Sequence, residues 1–275
     1  MPRLSIVIVT YNSSSQIDAC LTSLSAHPPT VDHETVIGDN ASPDGTAAAV
    51  RHRWPGVRVI DAGANVGFAR ANNIGIRQTR GELVLLLNPD TVVPAGALDT
   101  LIASLDARPD AASVGPRLVD ASGRAELSFG AMIGPLVELR QKLLVTGTDR
   151  GAPLVGWYLD RLTRRACEVD WVSGACLLVR RADAEAVGLI DERYFMYAED
   201  VDFCAAIRAR GRKVLFTPDA RVVHLRGQSA ASMPRATEAA YRRSQLAFYA
   251  KHHPRWVRLL RVYLKLRRRL PDIGD

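Results

Sequence analysis

The sequence predicts an open, mostly parallel α/β sheet with helices on both faces and a helical C-terminal tail. Three observations carry this. Short apolar, β-branched runs alternate with helical patterns through the first half of the chain. Two of those runs, Leu4–Val9 and Glu82–Leu87, are almost continuously apolar, as strands covered on both faces are. Polar clusters also stand at the carboxyl ends of the runs, where ligands of such sheets sit: Thr10-Tyr11-Asn12, Asp39-Asn40, Asp61 to Asn65 and Asn88 to Asp90.

Taken in order, Leu4–Val9 is the first strand, followed by a helix with Ile17, Cys20, Leu21 and Leu24 on one face. Glu34–Asp39 is the second strand. The turn Ala41-Ser42-Pro43-Asp44-Gly45-Thr46 starts a helix that ends near Trp54-Pro55-Gly56. Val57–Asp61 is the third strand, and a glycine-bearing loop leads to a helix through Ala69–Gln78. Glu82–Leu87 is the fourth and central strand. A helix from Pro94 to about Ala107 and a strand near Ala112–Leu118 complete the regular part. Residues 119–168 lose periodicity, apart from a helical stretch around Pro135–Leu144, and are expected to form an excursion over the active face. Glu168–Arg180 reads as a long strand interrupted at Ser173-Gly174, with a helix from Ala182 toward Asp191. Lys213–Thr217 is a further strand and Ala220–His224 a short extended run. From Pro234 the pattern is helical to Arg269, broken at Pro254.

At 275 residues a sizeable core is within reach, and the net charge of +7 is unevenly placed. Arg242 to Arg269 holds ten Lys or Arg and no acid, so the basic surface belongs to the tail. Cys20, Cys167, Cys176 and Cys204 form no C-x-x-C pair, which argues against a zinc site or a disulfide framework and for reduced thiols. Leu4–Val9 is too short for a signal peptide, and the runs Leu83–Leu87 and Ala175–Val179 fall far below the roughly 20 residues of a membrane span. A cytoplasmic protein is expected.

The densest chemistry lies in Phe195-Met196-Tyr197-Ala198-Glu199-Asp200-Val201-Asp202-Phe203, where aromatics give way to a helix that carries Arg208 two turns on. Acids at a helix start are ordinarily caps that answer unpaired N–H groups. A carboxylate there can also take a proton from a substrate hydroxyl. Asp90, after a buried strand and a proline, suits either a cap or a hard-cation ligand. Asp39 suits either a turn or an acceptor for the imide N–H of a pyrimidine base. His224 ends an apolar run.

Together, in this order, these residues resemble the inverting family 2 glycosyltransferases of the GT-A fold, and most closely their rhamnosyltransferase-like branch. The resemblance rests on Ser5–Asn12, Asp39–Thr46, Asn65-Val66-Gly67-Phe68-Ala69 with Asn72-Asn73-Ile74-Gly75, Asn88-Pro89-Asp90, Trp171–Cys176, and Phe195 through Arg208 to His224. It covers about residues 4–230. It implies a domain over 1–230: a nucleotide-sugar half at 1–118, the excursion at 119–168 and an acceptor and catalytic half at 169–230. Residues 231–275 would be basic amphipathic helices. By the same resemblance Thr10, Tyr11, Asn12 and Asp39 would hold the base and ribose, with Asn65, Gly67, Asn88 and Asp90 near the ribose and diphosphate. Asp90 and His224 would bind Mg²⁺ or Mn²⁺; Trp171, Ser173, Gly174 and Arg208 would meet the acceptor. Asp200 would be the base, assisted by Glu199. The usual Asp-x-Asp is Asn88-Pro89-Asp90 here, leaving one carboxylate. The resemblance implies dTDP-L-rhamnose as donor, with UDP sugars next, and a polysaccharide or lipid-diphosphate-linked acceptor.

The tail interleaves Trp256, Val257, Leu259, Leu260, Val262, Tyr263, Leu264 and Leu266 with seven Lys or Arg from Arg255 to Arg269. Such a helix either packs on the body or lies on an anionic membrane at the inner face of the plasma membrane. Nucleic acid is disfavoured because no aromatic platform accompanies the charge. A nucleotidyltransferase would want a glycine-rich basic loop after the first strand, and a nicotinamide dehydrogenase a G-x-G-x-x-G. Thr10-Tyr11-Asn12-Ser13-Ser14 is neither. A sugar-nucleotide-binding protein without turnover is the non-catalytic alternative.

Overall fold

In a computed structural model that describes residues 1–225 and 234–271, a nine-stranded twisted sheet carries the chain. Its strands are β1 (Leu4–Thr10), β2 (His33–Asp39), β3 (Arg58–Asp61), β4 (Leu83–Leu87), β5 (Thr91–Val92), β6 (Ala111–Val119), β8 (Cys167–Val169), β10 (Cys176–Arg180) and β11 (Lys213–His224). The spatial order is β3-β2-β1-β4-β10-β6-β11-β5, with β8 beside β11. A separate ribbon pairs β7 (Phe129–Gly130) with β9 (Trp171–Val172).

The expected α/β class is the observed one. β3, β2, β1 and β4 are parallel, while β10 enters antiparallel between β4 and β6. Alternation along the central strands explains how both faces become dry. Leu4, Ile6, Ile8, Leu83, Leu85 and Leu87 point to one core, with α1 (Ile17–Ala26), α2 (Thr46–Arg53) and α4 (Ala97–Asp106). Val7, Val84 and Leu86 point to the other, shared with α3 (Phe68–Arg77), α7 (Arg181–Ala186), α8 (Glu199–Ala209) and α9 (Pro234–His252).

Two segments differ from the sequence expectation. The stretch expected as one interrupted strand is three strands with four partners, since β8 pairs with β11, β9 with β7, and β10 with β4 and β6. Asp170 and Ser173-Gly174 are the breaks. Lys213–His224 is instead one strand whose register shifts between Thr217 and Arg221. Pro218 there has no N–H to give the ladder. The excursion contains two helices, α5 (Pro135–Asp149) and α6 (Pro153–Leu162), and α10 (Val257–Leu266) follows α9.

Candidate active site

Thr10 and Asp39 close neighbouring parallel strands in register, and both are buried. The Thr10 hydroxyl donates to Asp39 Oδ1 at 2.7 Å and Ser42 Oγ donates to the same oxygen at 2.6 Å. The Ser42 N–H reaches Oδ2 at 2.9 Å. An ionised carboxylate offers about four lone-pair sites, so one direction remains for a ligand donor. Asn12, in the left-handed region at φ 52°, gives its N–H to Ser42 Oγ at 3.1 Å. Its Oδ1 is buried without a partner among the described residues, an acceptor that a ligand N–H or hydroxyl would satisfy.

Asn40, the second residue of the polar Asp39-Asn40 strand end, ties this strand end to the next loop. Its amide donates to Gly67 O and its Oδ1 accepts the Val66 N–H, both at 3.3 Å. Asn65 Oδ1 accepts the Gly67 N–H at 3.2 Å. Gly67 has φ 84°, and a Cβ there would lie 2.5 Å from Phe195 O. That approach lets the first N–H of α3, on Phe68, bond Phe195 O at 2.7 Å. The donor-side loop is thus joined to the aromatic segment before the acidic cluster.

Immediately before α8, Tyr197 and Ala198 both sit in the left-handed region, at φ 73° and 67°. Non-glycine residues hold this conformation only where surroundings enforce it, and α9 does so. Ser244 Oγ donates to Met196 O at 2.7 Å and the Tyr241 ring meets that of Tyr197 edge-on at 5.6 Å. Beyond the turn, Asp200 Oδ2 accepts the Gly174 N–H at 2.9 Å and Oδ1 the Val201 N–H at 2.8 Å. Glu199 is buried, and its Oε2 has no partner among the described residues. Burial raises the pKa of both carboxyls. For Glu199 the neighbouring Asp200 charge raises it further, well above the usual range. For Asp200 the two backbone N–H groups oppose the rise. Of the pair, Glu199 is pushed further toward its protonated form than Asp200.

Asn88 N–H donates to Ala175 O at 2.9 Å, so the end of β4 abuts the segment whose Gly174 holds Asp200. Asp90 O accepts the Leu225 N–H at 2.8 Å, and His224 Nε2 lies 3.3 Å from Asp90 Oδ1. The other ring nitrogen, Nδ1, is 3.1 Å from Glu126 Oε2. Burial works against a charge on His224, but hydrogen bonds and charges from Asp90 and Glu126 outweigh it and raise the pKa to about 9. Among the described residues no cluster of three or more His, Cys, Asp or Glu is poised for a metal. The donor types nonetheless fit a hard divalent cation, which takes one or two carboxylates and leaves other positions to water and phosphate. Asp90 supplies one, and His224 would ligate through Nε2 once a cation displaces its proton. Glu126 would hold the far N–H, as carboxylates commonly do behind ligating histidines.

Of the residues expected at the acceptor, Gly174 touches Asp200 directly. The Ser173 N–H donates to Ser128 O at 2.8 Å. Trp171 is buried with Nε1 donating to Ala131 O at 3.0 Å. Arg208 pairs with Asp170 at 2.6 Å, so it braces the strand carrying Trp171. A cavity of about 460 Å³ opens beside His224 and Glu126, lined on its far side by Val145, Thr148 and Leu159.

Residues 5–186 match the profile described as glycosyl transferase family 2, more than half of the chain. The chain belongs to that family. It is 33% identical over 270 residues to an N-acetylglucosaminyl-diphospho-decaprenol L-rhamnosyltransferase of Mycobacterium tuberculosis, covering 93% of this chain and 86% of that protein. Rhamnosyltransferase WbbL of Escherichia coli is 25% identical over 227 residues, 80% of this chain and 82% of its own. The fold resembles that of mannosyltransferase PcManGT from Pyrobaculum calidifontis in complex with GDP-Man and Mn²⁺. The TM-score is 0.62 and the identity 20%, over 94% of this chain and 68% of that one. The chain is a family 2, nucleotide-sugar-dependent glycosyltransferase of glycan biosynthesis with a GT-A-like architecture.

Proposed function

We propose that this enzyme transfers L-rhamnose from dTDP-L-rhamnose, with inversion, to a hydroxyl of a lipid-diphosphate-linked glycan in cell-envelope synthesis. The observation that supports the reading is the link at one end of the sheet: Asn88, two residues before the His224-paired Asp90, bonds Ala175, the neighbour of the Gly174 that holds Asp200. Similarity over 93% of the chain to the mycobacterial rhamnosyltransferase supports the sugar and the acceptor.

In this reading Thr10, Tyr11, Asn12 and Asp39 hold base and ribose, and Asn65, Gly67 and Asn88 line the path to the diphosphate. Mg²⁺ or Mn²⁺, held by Asp90 and His224, would offset the charge gathering on the departing diphosphate. Asp200 accepts the proton of the acceptor hydroxyl as its oxygen bonds sugar C1 and the C1–O bond to the diphosphate breaks, leaving dTDP. One displacement inverts the anomeric centre. Neutral Glu199 donates to the acceptor or its neighbours. Ser173 and Gly174 border the acceptor, while Trp171 and Arg208 stiffen that border. Residues 1–118 thus serve the donor, and 169–230 the acceptor and base. The outer face of α10 contacts the cytoplasmic membrane surface.

Thermal-shift screening of nucleotide sugars with and without Mn²⁺ tests the donor, because a ligand stabilises in proportion to its affinity. dTDP-L-rhamnose with Mn²⁺ is expected to give the largest rise, and NMR of the product a linkage inverted from the donor. A larger shift with a UDP sugar would overturn the donor assignment. Donor binding without transfer to a GlcNAc-diphospho-polyprenyl acceptor, and without hydrolysis, would overturn catalysis.

A further inference from the structure

Helix α5 is amphipathic the wrong way round for a helix bounded by water. Its acid Glu138 is buried, accepting the Tyr249 hydroxyl at 2.7 Å and the Tyr241 hydroxyl at 3.4 Å, with the Gln245 amide beside them. Leu136, Leu139 and Leu143, spaced to form one stripe, face outward, the first and last 82% and 65% exposed. Across the hairpin, α6 exposes Leu154 at 82% and Trp157 at 62%. Five large apolar groups on adjoining helices are more than scattered surface residues.

Cations frame this stripe. Between residues 135 and 165 stand Arg140, Lys142, Arg150, Arg161, Arg164 and Arg165 against three acids. The Arg161 guanidinium lies 5.7 Å from the Trp157 ring centroid. Basic groups around Trp and Leu match a bilayer interface, where aliphatic stems lie in the apolar layer and charges reach phosphates.

The hairpin is also joined to the C-terminal helices. Beyond the Glu138 bonds to α9, His253 Nε2 meets Ile133 O at 2.6 Å, just before α10. Helix α10 has its own outer stripe of Trp256, Leu259, Val262, Tyr263 and Leu266, while Leu264 is fully buried and Val257 and Leu260 pack on the core. The hairpin also contributes Val145, Thr148 and Leu159 to the lining of the cavity that reaches His224 and Glu126.

We propose that the α5–α6 hairpin is a second membrane-docking element, acting with α10, and that its occupant is the surface of an anionic phospholipid bilayer. The hairpin lies between that surface and the cavity beside the reaction centre, where the head of a lipid-linked acceptor would arrive. Its purpose rests on the acceptor assigned above; its existence does not, because vesicle binding needs neither donor nor acceptor.

Flotation with phosphatidylcholine vesicles, with and without phosphatidylglycerol, tests this on the full chain. Wild type is expected to float with the anionic vesicles and not with phosphatidylcholine alone. Leu139→Glu/Leu143→Glu and, separately, Leu259→Glu/Val262→Glu should each lower the bound fraction at least tenfold. Circular dichroism and the nucleotide-sugar thermal shift should stay as in wild type. A hairpin variant that floats as well as wild type overturns the proposal. So does a wild type that ignores anionic vesicles but forms a dimer, by light scattering, that the hairpin variant splits; the face would then be a subunit interface. Loss of transfer with vesicle binding intact would instead refute the assigned function.

Discussion

Glu199 and Asp200 are adjacent, equally acidic by type, and separated only by what surrounds them. Asp200 accepts N–H groups from Gly174 and Val201, whereas Glu199 Oε2 has no partner among the described residues, so Glu199 is the member pushed further toward its protonated form. Asp200→Asn should cut turnover by about 10²–10⁴-fold, the usual contribution of a general base, with the donor-induced thermal shift unchanged. Glu199 holds its proton in the fold to a higher pH than in the unfolded chain, so rising pH above the ordinary value of 4.5 progressively opposes folding. Glu199→Gln removes that penalty. The drop in melting temperature between about pH 5 and pH 8 should shrink in the variant; an unchanged drop would mean that Glu199 is ionised. Glu126 acts through His224. Glu126→Gln should weaken Mn²⁺ binding by about 10–100-fold, read by electron paramagnetic resonance of free Mn²⁺, with less effect on donor binding without metal. Asp39, Asp90 and Asp200 were legible in the sequence because each stands at a strand end or helix start. Glu126 was not, because it lies in a stretch without periodicity and becomes a partner of His224 only through folding.

Elements place these groups, and two junctions matter most. At the first, Gly67 starts α3 against the backbone of Phe195. Gly67→Ala adds a methyl at φ 84°, ψ 172°, a backbone region essentially confined to glycine, which costs about 1–3 kcal/mol before any clash, and pushes apart the donor loop and the segment leading to Asp200. A lowered melting temperature together with a lost donor-induced shift is the expected result; loss of stability alone would make the junction purely structural. At the second, Asp202, fully buried on α8, bonds Lys251 Nζ at 2.8 Å, His252 Nε2 at 2.6 Å and the Tyr194 hydroxyl at 3.2 Å. Asp202→Ala leaves His252 and the Tyr194 hydroxyl without this acceptor and Lys251 with Asp191 alone. The expected cost is about 2–4 kcal/mol by denaturant unfolding, below that of a fully buried pair because Lys251 is half-buried. The strands of the first half were legible because continuous apolar runs specify strands covered on both faces. The threefold use of Glu168–Arg180 was not, since pairing partners are chosen by distant segments that leave no local trace.

At the scale of the molecule, the sequence draws its sharpest line at the change of charge and composition near residue 230. The packing draws a different one. Helix α9 buries Phe248 and Tyr249 in the core shared with β6, α3 and α8, clamps Asp202 through Lys251 and His252, and supports the strained turn at Met196–Ala198. Composition hid this because the basic residues that mark the tail also supply its inward contacts. Arg242 itself is buried and bonds Gln245 at 3.0 Å. The part of the tail that composition described correctly is α10, whose outer face is apolar and basic together. Two truncations separate these cases. A chain ending at residue 230 loses both helices, exposing the core around Phe203 and Phe248's partners, and strips Asp202 of Lys251 and His252 and Glu138 of Tyr241, Gln245 and Tyr249. It should aggregate or melt without a cooperative transition, read by circular dichroism. A chain ending at Pro254 loses only α10 and should fold cooperatively at a lower melting temperature, keeping the donor-induced shift while losing much of its vesicle binding. A 1–230 chain that melts cooperatively and still binds donor would place the domain boundary where composition put it, and reduce α9 to an accessory.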